Sequence, residues 1–199
     1  MLPRNRGFSL LELLIVMALA ACGYAMMFGP HTAWSQERAK ARCGQQLQQM
    51  HVALGLYAAE HEGAFPAPAD AVTSEPALSE LVPLYTTDTS IFICPGSGLA
   101  ALPGAEPFAS RRCSYSYVAG LKGDASGSQP IVSDAHARGG AKIAGGVLFS
   151  TSGQAPGNNH RAFGGNILFV DGHVEQQGAV MALHDFALPP GTRLLNPRP

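Results

Sequence analysis

RGFSLLELLIVMALAAC, residues 6–22, is an apolar stretch with one carboxylate, Glu12, near its start. From Phe8 to Gly29 the chain carries no other charge, and as a helix this segment would extend roughly 33 Å, about the thickness of a bilayer core. We therefore expect a transmembrane helix over residues 8–29, preceded by a short basic leader at 1–7. A carboxylate inside such a helix costs roughly 2.5–3.5 kcal/mol, so its presence implies a partner.

Other kinds of processing signal also fit parts of this stretch. An ordinary secretory signal ends in small residues, as in ALAA at 18–21, and a lipoprotein signal would end in LAAC with a lipidated Cys22. Neither gives Glu12 a role, because a discarded signal has no use for an acid. In a further interpretation Glu12 is a tolerated charge that reaches the membrane interface.

RGFSLLELLIVMALA closely resembles the N-terminal cleavage and methylation motif of type IV pilins and type II secretion pseudopilins. The resemblance implies that a prepilin peptidase cuts after Gly7 and methylates the new amino terminus at Phe8. It also implies that Glu12 neutralises this ammonium group on a neighbouring subunit, in a low dielectric where ion pairs are strong. The implied partners are other pilin or pseudopilin subunits, prepilin peptidase, the inner-membrane assembly platform and membrane lipid.

The function expected from this resemblance is structural rather than enzymatic. The chain would be a subunit of a type II secretion or type IV pilus filament, held by a single span in the bacterial inner membrane, with its C-terminal head periplasmic or extracellular. The formal net charge is -1, and Lys and Arg are scattered along the sequence. Nucleic acid is not an expected partner, because binding it requires a basic patch.

An amphipathic stem is expected over residues 30–62, with the helix itself from about Ala33 to Glu62. A helical stripe is formed by Cys43, Leu47, Met50, Leu54 and Tyr57, at steps of four, three, four and three. Gly29-Pro30 should kink the rod, because proline lacks an N–H and clashes with the preceding turn. Gly63 is a good C-terminal stop, and Phe65-Pro66 should hold the stem on the head.

The predicted fold class is α+β, with the long N-terminal helix packed on a small antiparallel sheet in a head at 63–199. Gly (23) and Pro (15) favour short elements joined by turns. A helix is predicted over 74–85 with Ser74 as its N-cap. Strands are predicted at 91–95, 114–120 and 129–136, and a hairpin at 164–176 with Asp171-Gly172 as a two-residue type I′ turn.

The cysteines have no C-x-x-C spacing, so a zinc ribbon is not supported. Outside the cytoplasm, Cys94 and Cys113 could form a disulfide worth on the order of 3 kcal/mol. Pairing of Cys43 with either of them stays open, because sequence does not give connectivity.

NNHRAFGGNILFVDGHV, residues 158–174, contains the segment 160–173 and resembles a C-terminal domain of many prepilin-type proteins, whose signature is a His, nine residues and Asp-Gly-His. Here ten residues separate His160 from Asp171. We expect no cofactor and a turn-stabilising network. The alternative is a divalent metal on His160, Asp171 and His173, with Asp134 and His136 as further ligands. On that alternative the chain would be a membrane-anchored periplasmic enzyme or binding module.

Overall fold

The structure is a computed structural model that describes residues 9–28, 31–137, 146–180 and 188–199. Gly7 and Phe8, at the predicted cleavage site, and Gly29-Pro30, at the predicted kink, lie outside these residues. The chain divides into two compact units, Met1–Ser35 and Gln36–Pro199.

In the first unit, helix α1 spans Leu10–Phe28 and consists mostly of Leu, Ala and Met, which are strong helix formers. Glu12 lies in its first turn, where a carboxylate interacts favourably with the helix dipole. The side chains from Leu10 to Tyr24 are all exposed. Among the described residues, no helix combines the length and apolar character required to cross a membrane.

Helix α2 spans His31–Glu60, close to the predicted 33–62. The predicted stripe is confirmed, since Cys43, Leu47, Met50 and Leu54 are fully buried in the core of the second unit. The chain leaves the helix through Glu62 and Gly63, whose φ values are both positive, 52° and 79°, and the N–H of Gly63 donates to the carbonyl of Ala58 at 2.8 Å. Phe65 is buried directly after this turn.

The second unit contains a five-stranded antiparallel sheet in the order β4-β3-β2-β1-β5. Its strands are β1 Tyr115–Ala119, β2 Pro130–Asp134, β3 Gly165–Phe169, β4 Val174–Gln177 and β5 Arg193–Leu195. Every residue of β1 and β2 is buried, so both faces of these central strands are covered. The α+β class is confirmed, with the α2 stripe and the sheet in one hydrophobic core.

Two predicted elements between α2 and the sheet are corrected. Helix α3 is only Ser74–Ser79, and its N-cap is Thr73. Ser74 is instead buried, with its hydroxyl donating to the carbonyl of Tyr115 at 2.6 Å. The strand predicted at 91–95 is replaced by a 3₁₀ helix, Thr89–Phe92, because the side chain of Asp88 accepts from the N–H of Ser90 and starts a tight turn.

The hairpin is confirmed, but its turn differs from the predicted one. The N–H of Phe169 donates to the carbonyl of His173 at 3.0 Å, so three residues form the loop instead of two. Only Gly172 has a positive φ there, at 88°, whereas a type I′ turn requires two such residues. The side chain of Asp171 accepts from the N–H of His173 and fixes the longer loop. Strand β5, which pairs with β1, had not been predicted.

Candidate functional site

Four side chains that can bind a metal meet in the core of the second unit: Cys43, Cys94, Asp134 and His160. We call them the buried cluster. Cys43 lies on α2, Cys94 follows the 3₁₀ helix, Asp134 ends β2, and His160 belongs to the turns before β3. One donor atom from each residue can be chosen so that all four lie within 4.8 Å of one another. Residues far apart in sequence are thus brought to one point by the packing of α2 on the sheet.

Asp134 is the centre of the hydrogen bonds in the buried cluster. Its Oδ1 accepts from Asn159 Nδ2 at 2.7 Å, and its Oδ2 accepts from the backbone N–H of Asn166 at 2.8 Å. Cys43 Sγ lies 3.2 Å from Oδ1. Burial alone would raise the pKa of Asp134, but hydrogen bonds from His160, Asn159 and Asn166 lower it. The carboxylate is therefore held ionised inside the core.

His160 is fully buried and directs one ring nitrogen at the cluster. Its Nε2 lies 3.2 Å from Asp134 Oδ2 and 3.3 Å from Cys94 Sγ. Its Nδ1 faces Gly96 and has no hydrogen-bond partner among the described residues. Burial lowers the pKa of His160, yet hydrogen bonds with Asp134 and Cys43 outweigh that effect and raise it to about 9. Without a metal, His160 and Asp134 thus form a buried ion pair.

The two thiols of the buried cluster have different surroundings. Burial raises the pKa of Cys43 well above its ordinary value, and a hydrogen bond with Cys94 adds to the increase. The hydroxyl of Tyr115 lies 3.2 Å from Cys43 Sγ. The backbone N–H of Gly96 donates to Cys94 Sγ at 3.4 Å.

A lysine on α2 is linked to the loops beside the cluster. Lys40 Nζ donates to the carbonyl of Phe163 at 3.0 Å and to that of Gln177 at 2.9 Å. Burial lowers the pKa of Lys40, while the charges of Asp134, Glu37 and Cys43 act in the opposite direction. Lys40 therefore brings positive charge close to the cluster.

The structure places the residues predicted as metal ligands in separate locations. His160 and Asp134 lie in the buried cluster, but Asp171 and His173 pair with each other, with side chains 50% and 44% exposed. His136 Nε2 lies 2.7 Å from Ser133 Oγ. The predicted trio of His160, Asp171 and His173 is thus corrected, because the hairpin loop keeps its Asp-His pair at the surface while His160 enters the core.

The predicted disulfide between Cys94 and Cys113 is not formed in the structure, where both are free thiols. Cys94 Sγ contacts His160, whereas Cys113 Sγ lies 3.4 Å from Ser74 Oγ and 3.5 Å from the carbonyl of Tyr115. Burial is the main cause that raises the pKa of Cys113 to about 12. The two sulfur atoms therefore have different partners.

Comparison with known proteins identifies one family model. Residues 2–28 match the prokaryotic N-terminal methylation motif, which confirms the motif predicted from the sequence and fits a type IV pilin-like or pseudopilin subunit. No curated protein and no solved structure matches the chain. The likeness of residues 160–173 to a C-terminal prepilin domain stays a prediction.

Proposed function

We propose that the chain is a pilin-like or pseudopilin subunit of a type II secretion or type IV pilus filament. Prepilin peptidase cuts it after Gly7 and methylates Phe8, and the assembly platform then adds it to the filament. The observation that carries this proposal is the methylation motif at residues 2–28. In this proposal residues 8–29 lie in the inner membrane before assembly, and the head is periplasmic or extracellular.

Glu12 is the assembly residue in this proposal. It is the acidic residue of α1, and it stands among exposed leucines, including Leu10, Leu11 and Leu13. Such side chains are stable only when lipid or other helices cover them, and a carboxylate in the same place requires a counterion. The methylated amino group of Phe8 on a neighbouring subunit would provide one, which fixes the axial position of each added subunit.

A structural role is proposed for the head as well, without catalysis. All four residues of the buried cluster are essentially inaccessible to solvent, so no substrate can reach them without unfolding. This burial favours the filament subunit over the anchored metal-dependent enzyme.

Replacement of Glu12 by Gln tests the proposal. Removal of one member of a buried ion pair costs about 3–5 kcal/mol, so the pelleted filament fraction should fall by more than about tenfold. Glu37→Gln is the matched control, because Glu37 is an exposed acid on the helix that follows. Mass spectrometry of the wild-type chain should show a methylated Phe8 at the amino terminus.

Two results would contradict the proposal. One is a mature chain that starts at Met1 or at a lipidated Cys22. The other is normal assembly of the Glu12→Gln variant in cells where the Glu37→Gln variant also assembles normally.

A further inference from the structure

The buried cluster has the composition of a zinc site rather than that of an ordinary core. Two thiols, one imidazole and one carboxylate are the ligand types that Zn²⁺ takes in proteins, and four such ligands complete its tetrahedral coordination. Calcium and magnesium prefer oxygen ligands, of which the cluster offers only those of Asp134. Paired thiols with an imidazole therefore select a thiophilic divalent ion.

The distances in the buried cluster are close to those of a tetrahedral site. With zinc bonds of about 2.0–2.3 Å, neighbouring ligand atoms lie roughly 3.3–3.8 Å apart. Measured to one carboxylate oxygen, Asp134 Oδ2, the distance is 3.4 Å from Cys43 Sγ and 3.2 Å from His160 Nε2. Cys94 Sγ is 3.3 Å from that same Nε2. Since no pair in the group exceeds 4.8 Å, small side-chain rotations suffice to surround an ion.

The surroundings hold the ligands in place. Asn159 and Asn166 fix the carboxylate of Asp134 from both sides, as residues around metal ligands commonly do. The N–H of Gly96 donates to Cys94 Sγ, a contact that favours a thiolate. A Cβ at Gly96 would lie 2.3 Å from the carbonyl of Asn159 and 2.8 Å from His160 Nδ1. Only glycine there lets the Cys94 loop approach the His160 loop this closely.

The charges balance when a divalent ion is present. Two thiolates and the carboxylate of Asp134 carry three negative charges, of which Zn²⁺ neutralises two. Lys40 supplies positive charge beside Asp134 and Cys43. Buried charges are tolerated when they are paired or coordinate a metal, and this arrangement provides both.

We propose that Cys43, Cys94, Asp134 and His160 bind one Zn²⁺ ion as a closed structural site that fastens α2 to the head. On binding, the two thiols and the His160 imidazolium each release one proton to solvent; each sulfur then forms a bond to zinc, Asp134 contributes an oxygen, and His160 contributes Nε2 as neutral imidazole. All four ligands come from the protein, so no position stays open for a substrate. The site does not depend on how, or whether, the chain assembles into a filament.

The test uses the full chain in detergent, purified without a histidine tag and under reducing conditions. A Cys22→Ser background removes the exposed thiol as a second binding site. Elemental mass spectrometry should find about one zinc per chain and no comparable iron or copper. Removal of the metal with a chelator should lower the Tm by about 10 °C, as expected for loss of a tightly bound ligand. Cobalt(II) in place of zinc should give thiolate-to-metal charge-transfer absorption and the intense d–d bands of tetrahedral coordination.

Variants separate this site from adventitious binding. Cys43→Ser and Asp134→Asn should each reduce zinc to less than about a fifth of the wild-type content. Cys113→Ser should keep it, because Cys113 is an equally buried thiol outside the cluster.

Three results would overturn the proposal, and each is read on a chain that circular dichroism shows to be folded. The first is less than about a tenth of an equivalent of zinc after incubation with excess zinc. The second is a Cys43–Cys94 disulfide in protein isolated without reductant after its free thiols are alkylated at lysis, since that disulfide would remove both thiolates. The third is a cobalt(II) spectrum without thiolate charge transfer, which needs no substitution in the buried cluster and so does not depend on whether the ligand variants fold.

Discussion

Asn166 on β3 donates two hydrogen bonds to the carboxylate of Asp134 on β2, from its backbone N–H at 2.8 Å and from its side chain at 3.1 Å. The same side chain also donates to the carbonyl of Lys40 at 3.0 Å. One amide therefore joins α2 to two neighbouring strands. A buried ionised carboxylate needs such donors, because an unpaired charge in the core is costly.

Asn166→Ala should lower the free energy of unfolding by about 1–3 kcal/mol, because the carboxylate and the Lys40 carbonyl each lose a donor. Denaturant unfolding of the purified chain measures this change. Gln176→Ala is the control, since Gln176 lies directly opposite Asn166 on β4 but is exposed, and its effect should stay within about 0.5 kcal/mol. Equal losses in both variants would show that the contacts of Asn166 are not stabilising.

Two glycine substitutions should have effects of opposite sign. Gly172→Ala should destabilise the head by more than about 1 kcal/mol, because Gly172 has a φ of 88° and a Cβ there would lie 2.8 Å from the His51 ring. Gly55→Ala should stabilise it by about 0.5–1 kcal/mol, because Gly55 is within α2 and has no atom within 4 Å of its added Cβ. Thermal unfolding compares the two, and a shift of the same sign in both would contradict the turn geometry.

Tyr117→Phe should cost about 1 kcal/mol of unfolding free energy. The buried hydroxyl of Tyr117 donates to the carbonyl of Pro66 at 2.8 Å, and its loss leaves that carbonyl unsatisfied. Tyr85→Phe is matched to it, because the hydroxyl of Tyr85 donates to Glu60 at an exposed position. Denaturant melts should show less than about 0.5 kcal/mol for Tyr85→Phe, and an equal effect at both positions would refute the role of burial.

Deletion of residues 1–30 should leave a soluble chain that unfolds cooperatively at nearly the wild-type temperature, because the second compact unit begins at Gln36. Near-ultraviolet circular dichroism and a thermal melt check this. A longer deletion through residue 48 should abolish cooperative unfolding, because it removes Cys43 and Leu47 from the core. If the chain that lacks residues 1–48 unfolds at the same temperature as the chain that lacks residues 1–30, the packing of α2 against the core would be contradicted.

Local patterns predicted the parts of the fold that local forces determine. The apolar stripe with a 3.6-residue period predicted which face of α2 is buried. Apolar runs flanked by turn residues predicted the strands β1 and β2 and the hairpin. The strand predicted at 91–95 was wrong because a short apolar run fits a buried strand or a buried turn equally well. The difference depends on Asp88, whose side chain starts the 3₁₀ helix. Strand β5 was missed because its three residues extend only when β1 is present to pair with them.

The candidate site was predicted only in part for a related reason. His160, Asp171 and His173 were predicted together because they lie in one short segment of the sequence, and Asp134 was added only as a further ligand. The thiols of Cys43 and Cys94 belong to distant segments, and no short spacing marks them as ligands. Their meeting depends on how α2 packs on the sheet, which residue spacing does not encode.

The anchorage of α2 has a mechanical consequence. Lys40, Cys43 and Gln46 lie on successive turns of that helix, and each contacts a different part of the head: the carbonyls of Phe163 and Gln177, the carboxylate of Asp134, and the carbonyl of Ser90. A force along the axis of α2 would act in shear on the contacts of Lys40, Cys43 and Gln46. These contacts must then break together instead of one after another. Under tension applied to its N-terminal end, α2 should therefore unwind ahead of Lys40 before it separates from the sheet.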